Sequence, residues 1–279
     1  MWGFMPYYFH LLQDVRPDLF LAQRVLWTIP VGLGLVVAGR MSRNVLAAFR
    51  DGRTILFLFA CSFLIGVNWL VNVWAVQNDR ILEAAVGFYL NPIVNLALGA
   101  AIFGERFSRL QMGAAALSVA GVVNQALGVG AFPWVALLLC GTFAAYGALR
   151  KAIDVDARSG LLIEVLLLSP FAIGWIGYEM SHGVDVTASS SSVSALIMMS
   201  GAILSTPLIL FAMAARRLNL STLGMIQYLA PTMHVFVGVS LGEHFTPAHT
   251  VTFILIWSGV ALFSYGSWRG RQARRAVSA

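Results

Sequence analysis

Long apolar runs alternate with short polar gaps along nearly the whole chain. Nine of the runs approach the 20 or so residues that a helix needs to cross a hydrocarbon core about 30 Å thick. They cover residues 18–39, 54–77, 80–103, 107–126, 132–149, 160–180, 193–214, 220–241 and 246–267. An apolar, aromatic stretch at 1–12 precedes them, and at 1.5 Å per residue it reaches only about 18 Å. It reads as the outer half of a tenth helix whose beginning is missing. The pattern predicts an all-α polytopic membrane protein of ten transmembrane helices, the first of them truncated. No small-residue cleavage site follows the first apolar stretch, so no secretory leader is expected.

Composition excludes the soluble alternative. Of 279 residues, 59% are hydrophobic and 11% charged, and the mean hydropathy is +0.80. A water-soluble domain carries roughly 25% charged residues to cover its surface. The net charge of +6 would suit nucleic acid only if basic groups clustered on a polar face. They fall instead in the gaps between apolar runs, so the expected partners are the lipid bilayer and a small-molecule solute, not nucleic acid.

The basic residues also predict orientation. With the 40–53 gap on the cytoplasmic side, fifteen of the 18 Lys and Arg lie inside, Arg16 and Arg80 lie outside, and Arg24 is left within a helix. The C-terminus is then cytoplasmic, in a bacterial inner membrane, and the basic tail 269–279 reads as an anchor for anionic headgroups. Ser-rich residues 189–192 read as an outer tether. Cys61 and Cys140 lie inside apolar runs and read as small buried hydrophobes. Lys151 follows Arg150 rather than Gly, which excludes a phosphate-binding loop. His234, His244 and His249 lack acidic partners at ligand spacing, so neither a metal nor another cofactor is expected.

An internal repeat points toward transport. Tyr89-Leu90-Asn91-Pro92 recurs as Tyr228-Leu229-Ala230-Pro231, and each copy leads to a Gly-Glu pair, Gly104-Glu105 and Gly242-Glu243. Five helices separate the copies, and an odd number reverses direction. The chain therefore divides into an N-terminally truncated five-helix repeat at 1–130 and an inverted one at 131–268. Inverted repeats characterise secondary transporters, whose sites lie near the bilayer midplane. Pro92 and Pro231 free a carbonyl in each copy and are candidate hinges, although membrane helices also tolerate proline for packing.

Polar groups in hydrocarbon are costly and therefore informative. Asn68 and Asn72 share one helix face, as do Asn91 and Asn95, and Glu83, Gly87 and Gly99 extend the second ribbon. Each Asn reads either as glue between helices or as cavity lining. With Gln227, Tyr228 and Trp27, the residues Asn68, Asn72 and Asn91 are the candidates for solute binding. Thr232 and His234 add polarity to the same span as Gln227, while Trp69, Trp74 and Tyr146 offer further aromatic walls. Arg24 and Glu83 lie at similar depth below the outer boundary and are expected to pair as an outer gate, unless Arg24 snorkels. Glu164 has Arg150 and Lys151 at comparable depth and reads first as a structural pair. If flux is coupled to protons, Glu83 or Glu164 is the expected carrier. Glu105 and Glu243 read as helix caps. Small residues on 107–126 (Gly113, Ala114, Ser118, Gly121) predict close packing or a dimer face, leaving monomer or homodimer open.

Nearly the whole chain resembles the RarD-type permeases of the drug/metabolite transporter superfamily, EamA-like carriers with ten helices in two five-helix repeats. The resemblance rests on Trp2-Gly3, Arg24-Val25-Leu26-Trp27, Asn68-Trp69, Glu83-Ala84, Asn91-Pro92, Gly104-Glu105, Tyr146-Gly147, Arg150-Lys151, Thr206-Pro207, Gln227-Tyr228 and Pro231-Thr232. Gln23 replaces the family's usual His, and Glu164-Val165 replaces its Glu-Thr. The likeness implies a non-enzymatic permease exporting a small metabolite or drug by alternating access. The rival reading is a non-transporting scaffold or an intramembrane enzyme, and no nucleophile and base converge at one depth to favour the latter.

Overall fold

The computed structural model describes residues 1–103, 109–129, 132–186, 190–217 and 229–278. Among them the regular structure is entirely helical. After a 3-10 turn at Trp2–Phe4 come α1 (Met5–His10), α2 (Pro17–Ala38), α3 (Ser42–Arg50), α4 (Gly52–Gln77), α5 (Ile81–Phe103) and α6 (Arg109–Val129). Then follow α7 (Trp134–Lys151), α8 (Ala157–Ser181), α9 (Ser191–Arg217), α10 (Leu229–Ser240) and α11 (Pro247–Ser278). Four described segments are long and apolar enough to cross a membrane: Pro17–Ala38, Gly52–Gln77, Ala157–Ser181 and Pro247–Gly266. Shorter apolar segments are Ile81–Asn91, Trp134–Arg150, Ser191–Pro207 and Leu229–Ser240. The chain is a multi-pass membrane protein.

Local chemistry sets the helix starts. Pro17 opens α2 with the fixed φ suited to a first turn. Asp51 caps α4 by accepting from Arg53 N at 3.2 Å and Thr54 N at 3.3 Å, and Asp156 caps α8 from Arg158 N at 2.9 Å. Hydrogen bonding by Thr54 and the backbone holds the Asp51 carboxyl below its ordinary range.

Helix pairs determine what lies inside. The antiparallel α2 and α8 are joined at one end by Arg16 and Glu179, with Nη1 to Oε2 at 2.7 Å. α6 packs along α11, α5 along both α7 and α10, and α4 against α7 and α8. The N-terminal segment lies on α10, where a Cβ on Gly3 would stand 2.5 Å from Met233 Cβ. Met5, Tyr8, Phe9 and Leu12 join Phe20, Val73 and Ile197 in one buried cluster. Large apolar side chains cover the outward faces, among them Phe63, Phe171, Ile173 and Ile254, as a hydrocarbon solvent favours.

Three features differ from the sequence expectation. The segment at 1–12 is a 3-10 turn followed by a short helix. The 40–53 gap contains α3, which turns Val45 and Ala48 toward Leu58 and Ile163 while Leu46 and Phe49 stay exposed; at nine residues it is too short to register as a span. The basic tail continues α11 to Ser278 without a break, since Ala, Arg and Gln are good helix formers.

Candidate functional site

The polar interior centres on Arg24 of α2. Only 6% of this residue is exposed, and its guanidinium carbon lies 3.7 Å from the centroid of the Trp69 ring on α4. The Tyr8 hydroxyl beside it donates to Leu196 O at 2.7 Å. α9 closes the far side at Gly201, where an added Cβ would strike Trp27 O and come within 2.9 Å of Thr28 N. That approach needs glycine, and it buries the neighbouring Ser200 completely. Among the described residues Arg24 forms no ion pair and its Nε has no hydrogen-bond partner, while the buried Ser200 hydroxyl lies beside that of Tyr8.

The asparagines divide by role. Asn68 Nδ2 donates to Leu139 O and to Thr142 Oγ1, both at 2.9 Å, and so ties α4 to α7. One turn away, the Asn72 Oδ1 is buried and unbonded, as is the Oδ1 of Asn91 on α5. Trp27 is 38% exposed, so Trp69 supplies the aromatic surface over Arg24 instead. Pro92 lies within the continuous α5 and Pro231 near the start of α10, where it is buried. Gln227, Tyr228, Gly104 and Glu105 lie outside the described residues. Tyr89 and Thr232 share a hydrogen bond of 2.5 Å that links α5 with α10. His234 Nε2 lies 3.1 Å from Trp2 O, fastening α10 to the N-terminal segment.

The expected pairing of Arg24 with Glu83 does not form. Glu83 bonds Arg80 at 2.6 Å, one turn away at the N-terminal end of α5, and accepts from Val135 N at 3.1 Å. It thereby caps α7 from another helix. Depth counting gave these two residues similar heights but no direction around their helices, and the directions differ. Glu243 makes a second cross-helix cap, accepting from Leu82 N at 3.1 Å on Oε2 and 3.2 Å on Oε1. Burial raises its carboxyl to about 7, against the lowering effect of the Leu82 and Ile81 amides and with help from Asp79 and Glu83. Arg80 also faces the rings of Trp74 and Trp134, which lie 5.0 Å apart.

At the opposite end, Glu164 lies 3.7 Å from Arg150 Nε and accepts from the Tyr146 hydroxyl at 3.3 Å. The Arg150 guanidinium crosses α8 over Gly160, where any Cβ would collide with it. The structural pair read from the sequence is therefore formed. Among the described residues no three His, Cys, Asp or Glu side chains group as a metal site, and Cys61 and Cys140 are buried and free.

One signal was available in the sequence and unused. Arg24-Val25-Leu26 leads to Pro30, and Glu164-Val165-Leu166 leads to Pro170 at the same spacing. Each proline lies thirteen residues beyond the first residue of its helix. The match aligns α2 with α8 in sequence and makes Glu164 the counterpart of Arg24, the two lying toward opposite ends of the antiparallel pair.

The comparisons follow the same lines. Residues 1–124 match the EamA-like transporter family. Over 265 residues the chain is 38% identical to Protein RarD of Salmonella typhimurium, covering 94% of this chain and 90% of that protein. Protein RarD of Escherichia coli is 37% identical with the same coverage. An uncharacterized transporter of Vibrio cholerae is 37% identical over 99% of this chain and 92% of its own length. A crystal structure 19% identical in sequence has the same fold at a TM-score of 0.64, over 94% of this chain and 92% of that one.

Proposed function

The chain belongs to the RarD-type permeases of the EamA-like transporter family, and from that premise we propose that it is a secondary carrier exporting a small organic solute across a bacterial inner membrane. Two inverted five-helix halves, 1–130 and 131–268, alternate access to a site between them in this reading. The pairing of α2 with α8, α5 with α10 and α6 with α11 supports it, because each pair joins a helix to its counterpart in the other half.

The observation that carries the proposal is a group of buried, unbonded polar atoms on α2, α4 and α5, those of Arg24, Asn72 and Asn91, drawn from a larger number of such atoms among the described residues. Such atoms cost free energy in a closed apolar interior and fit a wall that a polar solute completes. Gln227 and Tyr228 would extend that wall on the span leading into α10, and Pro92 and Pro231 would let α5 and α10 bend. The outer closure in this reading is Arg80 with Glu83 and the Glu243 cap, and the inner one is Glu164 with Arg150. The basic end of α11 would then be cytoplasmic.

The deciding experiment reconstitutes the purified chain in proteoliposomes and measures flux over a panel of labelled metabolites and drugs. Saturable flux of at least one solute is expected, together with a several-fold rise in KM for Asn72→Ala or Asn91→Ala. Absence of saturable flux across the panel would favour a scaffold.

A further inference from the structure

The match between α2 and α8 makes two buried charges of opposite sign counterparts in sequence, and among the described residues only one of them meets an opposite charge. Glu164 meets Tyr146 and Arg150, which are one turn apart on α7. Arg24 meets Tyr8, but one turn beyond Tyr8 the chain carries Leu12, with no charge to answer the guanidinium. The groups around Arg24 are otherwise neutral: the Trp69 face, the Ser200 hydroxyl and Thr28, whose Oγ1 donates back to Arg24 O at 2.8 Å. Glu83 is engaged by Arg80 and the α7 amide, and Glu179 and Asp18 are engaged by Arg16.

A guanidinium that is nine-tenths buried, meets no anion among the described residues and has an unbonded Nε is a costly arrangement that a bound anion would relieve. We propose that Arg24 is the recognition site for the carboxylate of a monoanionic organic solute, with Trp69 and Tyr8 holding the guanidinium and the Asn72 Oδ1 available to the rest of the solute. This rests on the carrier reading above and adds the solute's chemical class. One guanidinium balances one negative charge. Among the described residues the next cations, Arg16, Arg80 and Arg150, are each held by a carboxylate. A dianion such as phosphate would bring an uncompensated charge into an apolar interior, whereas a carboxylate reproduces the pairing that Glu164 makes with Arg150. Arg also matches a carboxylate through two parallel N–H donors, which Lys does not.

The test compares acids with their uncharged isosteres on the purified full chain in detergent at pH 8, where inorganic phosphate is mostly the dianion. Thermal unfolding is followed with benzoate against benzamide, phenylacetate against phenylacetamide, hexanoate against hexanamide, and with inorganic phosphate. At least one acid is expected to raise the unfolding midpoint while its amide and phosphate do not. Arg24→Gln should weaken that acid on the order of tenfold or more, and Arg24→Lys should retain part of the preference. If Arg24→Gln fails to fold, the acid–amide comparison on the unaltered chain and on Arg24→Lys still decides. Equal stabilisation by acids and amides, equal binding of phosphate, or an acid preference that survives in Arg24→Gln overturns the proposal. Flux separates the two readings. Saturable transport of neutral solutes alone sinks the carboxylate site and leaves the carrier standing, whereas Arg24-dependent acid binding without flux of any solute does the reverse.

Discussion

The α6–α11 seam and the crossing of α2, α4 and α9 are both helix contacts within a membrane, and they are held by opposite means. Along the seam, small residues recur every seven positions on each helix, at 114, 121 and 128 and at 252, 259 and 266, with Gly121 against Thr252, Gly259 against Ala114, Gly128 against Ala248 and Gly266 against Leu110. The backbones approach until a Cβ on Gly259 would lie 2.8 Å from Ser118 Oγ and 2.9 Å from Ala114 O. The remaining polar groups are mostly spent across the contact, Asn124 donating to Ala248 O at 2.8 Å and Thr252 to Gly121 O at 3.2 Å. At the crossing, by contrast, bulky aromatic and charged groups meet and several polar atoms stay unbonded. Where apolar association has no driving force, shape complementarity makes a fixed joint, and incomplete polar pairing leaves a place for something else to bind.

The largest effect should come from breaking the seam. Gly259→Leu is expected to cost about 3 kcal/mol or more through overpacking against α6, read as a lowered unfolding midpoint in detergent. Gly174→Leu, where nothing lies within 4 Å of the added atom, should leave the midpoint unchanged. If both behave alike, the seam is not a fixed joint. A smaller loss, about 1 kcal/mol, is expected for Asn68→Ala, which removes two hydrogen bonds between α4 and α7. Its signature is lower stability with the KM for solute retained, and a raised KM would return Asn68 to the binding wall.

The smallest effect tests a contact outside both regions, the cap on the start of α5. Glu243 has its carboxyl raised to about 7 by burial, so the folded protein holds that proton more tightly than the unfolded chain does. Its contribution is fully present below the ordinary carboxylate range, near 4.5, and is lost as pH rises through 7. The unfolding midpoint should fall between pH 5 and pH 8, and Glu243→Gln should flatten that fall. An unchanged slope in the variant would remove Glu243 as the titrating contact.

Much of this was legible in the residues. Apolar run length locates most of the helices, and the small residues on 107–126 foretell close packing, which α11 supplies where Ala114 and Ser118 are fully buried against it. Glu164 found its expected partner because Arg150 lies near it in sequence, across one short turn. Arg24 and Glu83 did not, since residues on separate helices need an azimuth as well as a depth, and periodicity fixes that only relative to each helix's own neighbours. Glu243 was read as a cap and is one, but the helix it caps was illegible, as was the cap made by Glu83, because both carboxylates serve backbone amides of another helix that carry no sequence signal. α3 escaped because a nine-residue helix with exposed Leu46 and Phe49 has the composition of a loop.

The length of α11 has a mechanical consequence. Its 32 residues extend about 48 Å, and even a tilt of about 40° leaves a projection of roughly 37 Å, longer than the hydrocarbon core. One end must therefore stand clear of the lipid tails, and the arginines at 269, 271, 274 and 275 ride on it. Clamped to α6 along the seam, the helix acts as a rigid arm: a rocking of about 10° would sweep its far tip through roughly 8 Å. In the proposed carrier, motion inside the bilayer would be carried by this arm beyond the hydrocarbon core.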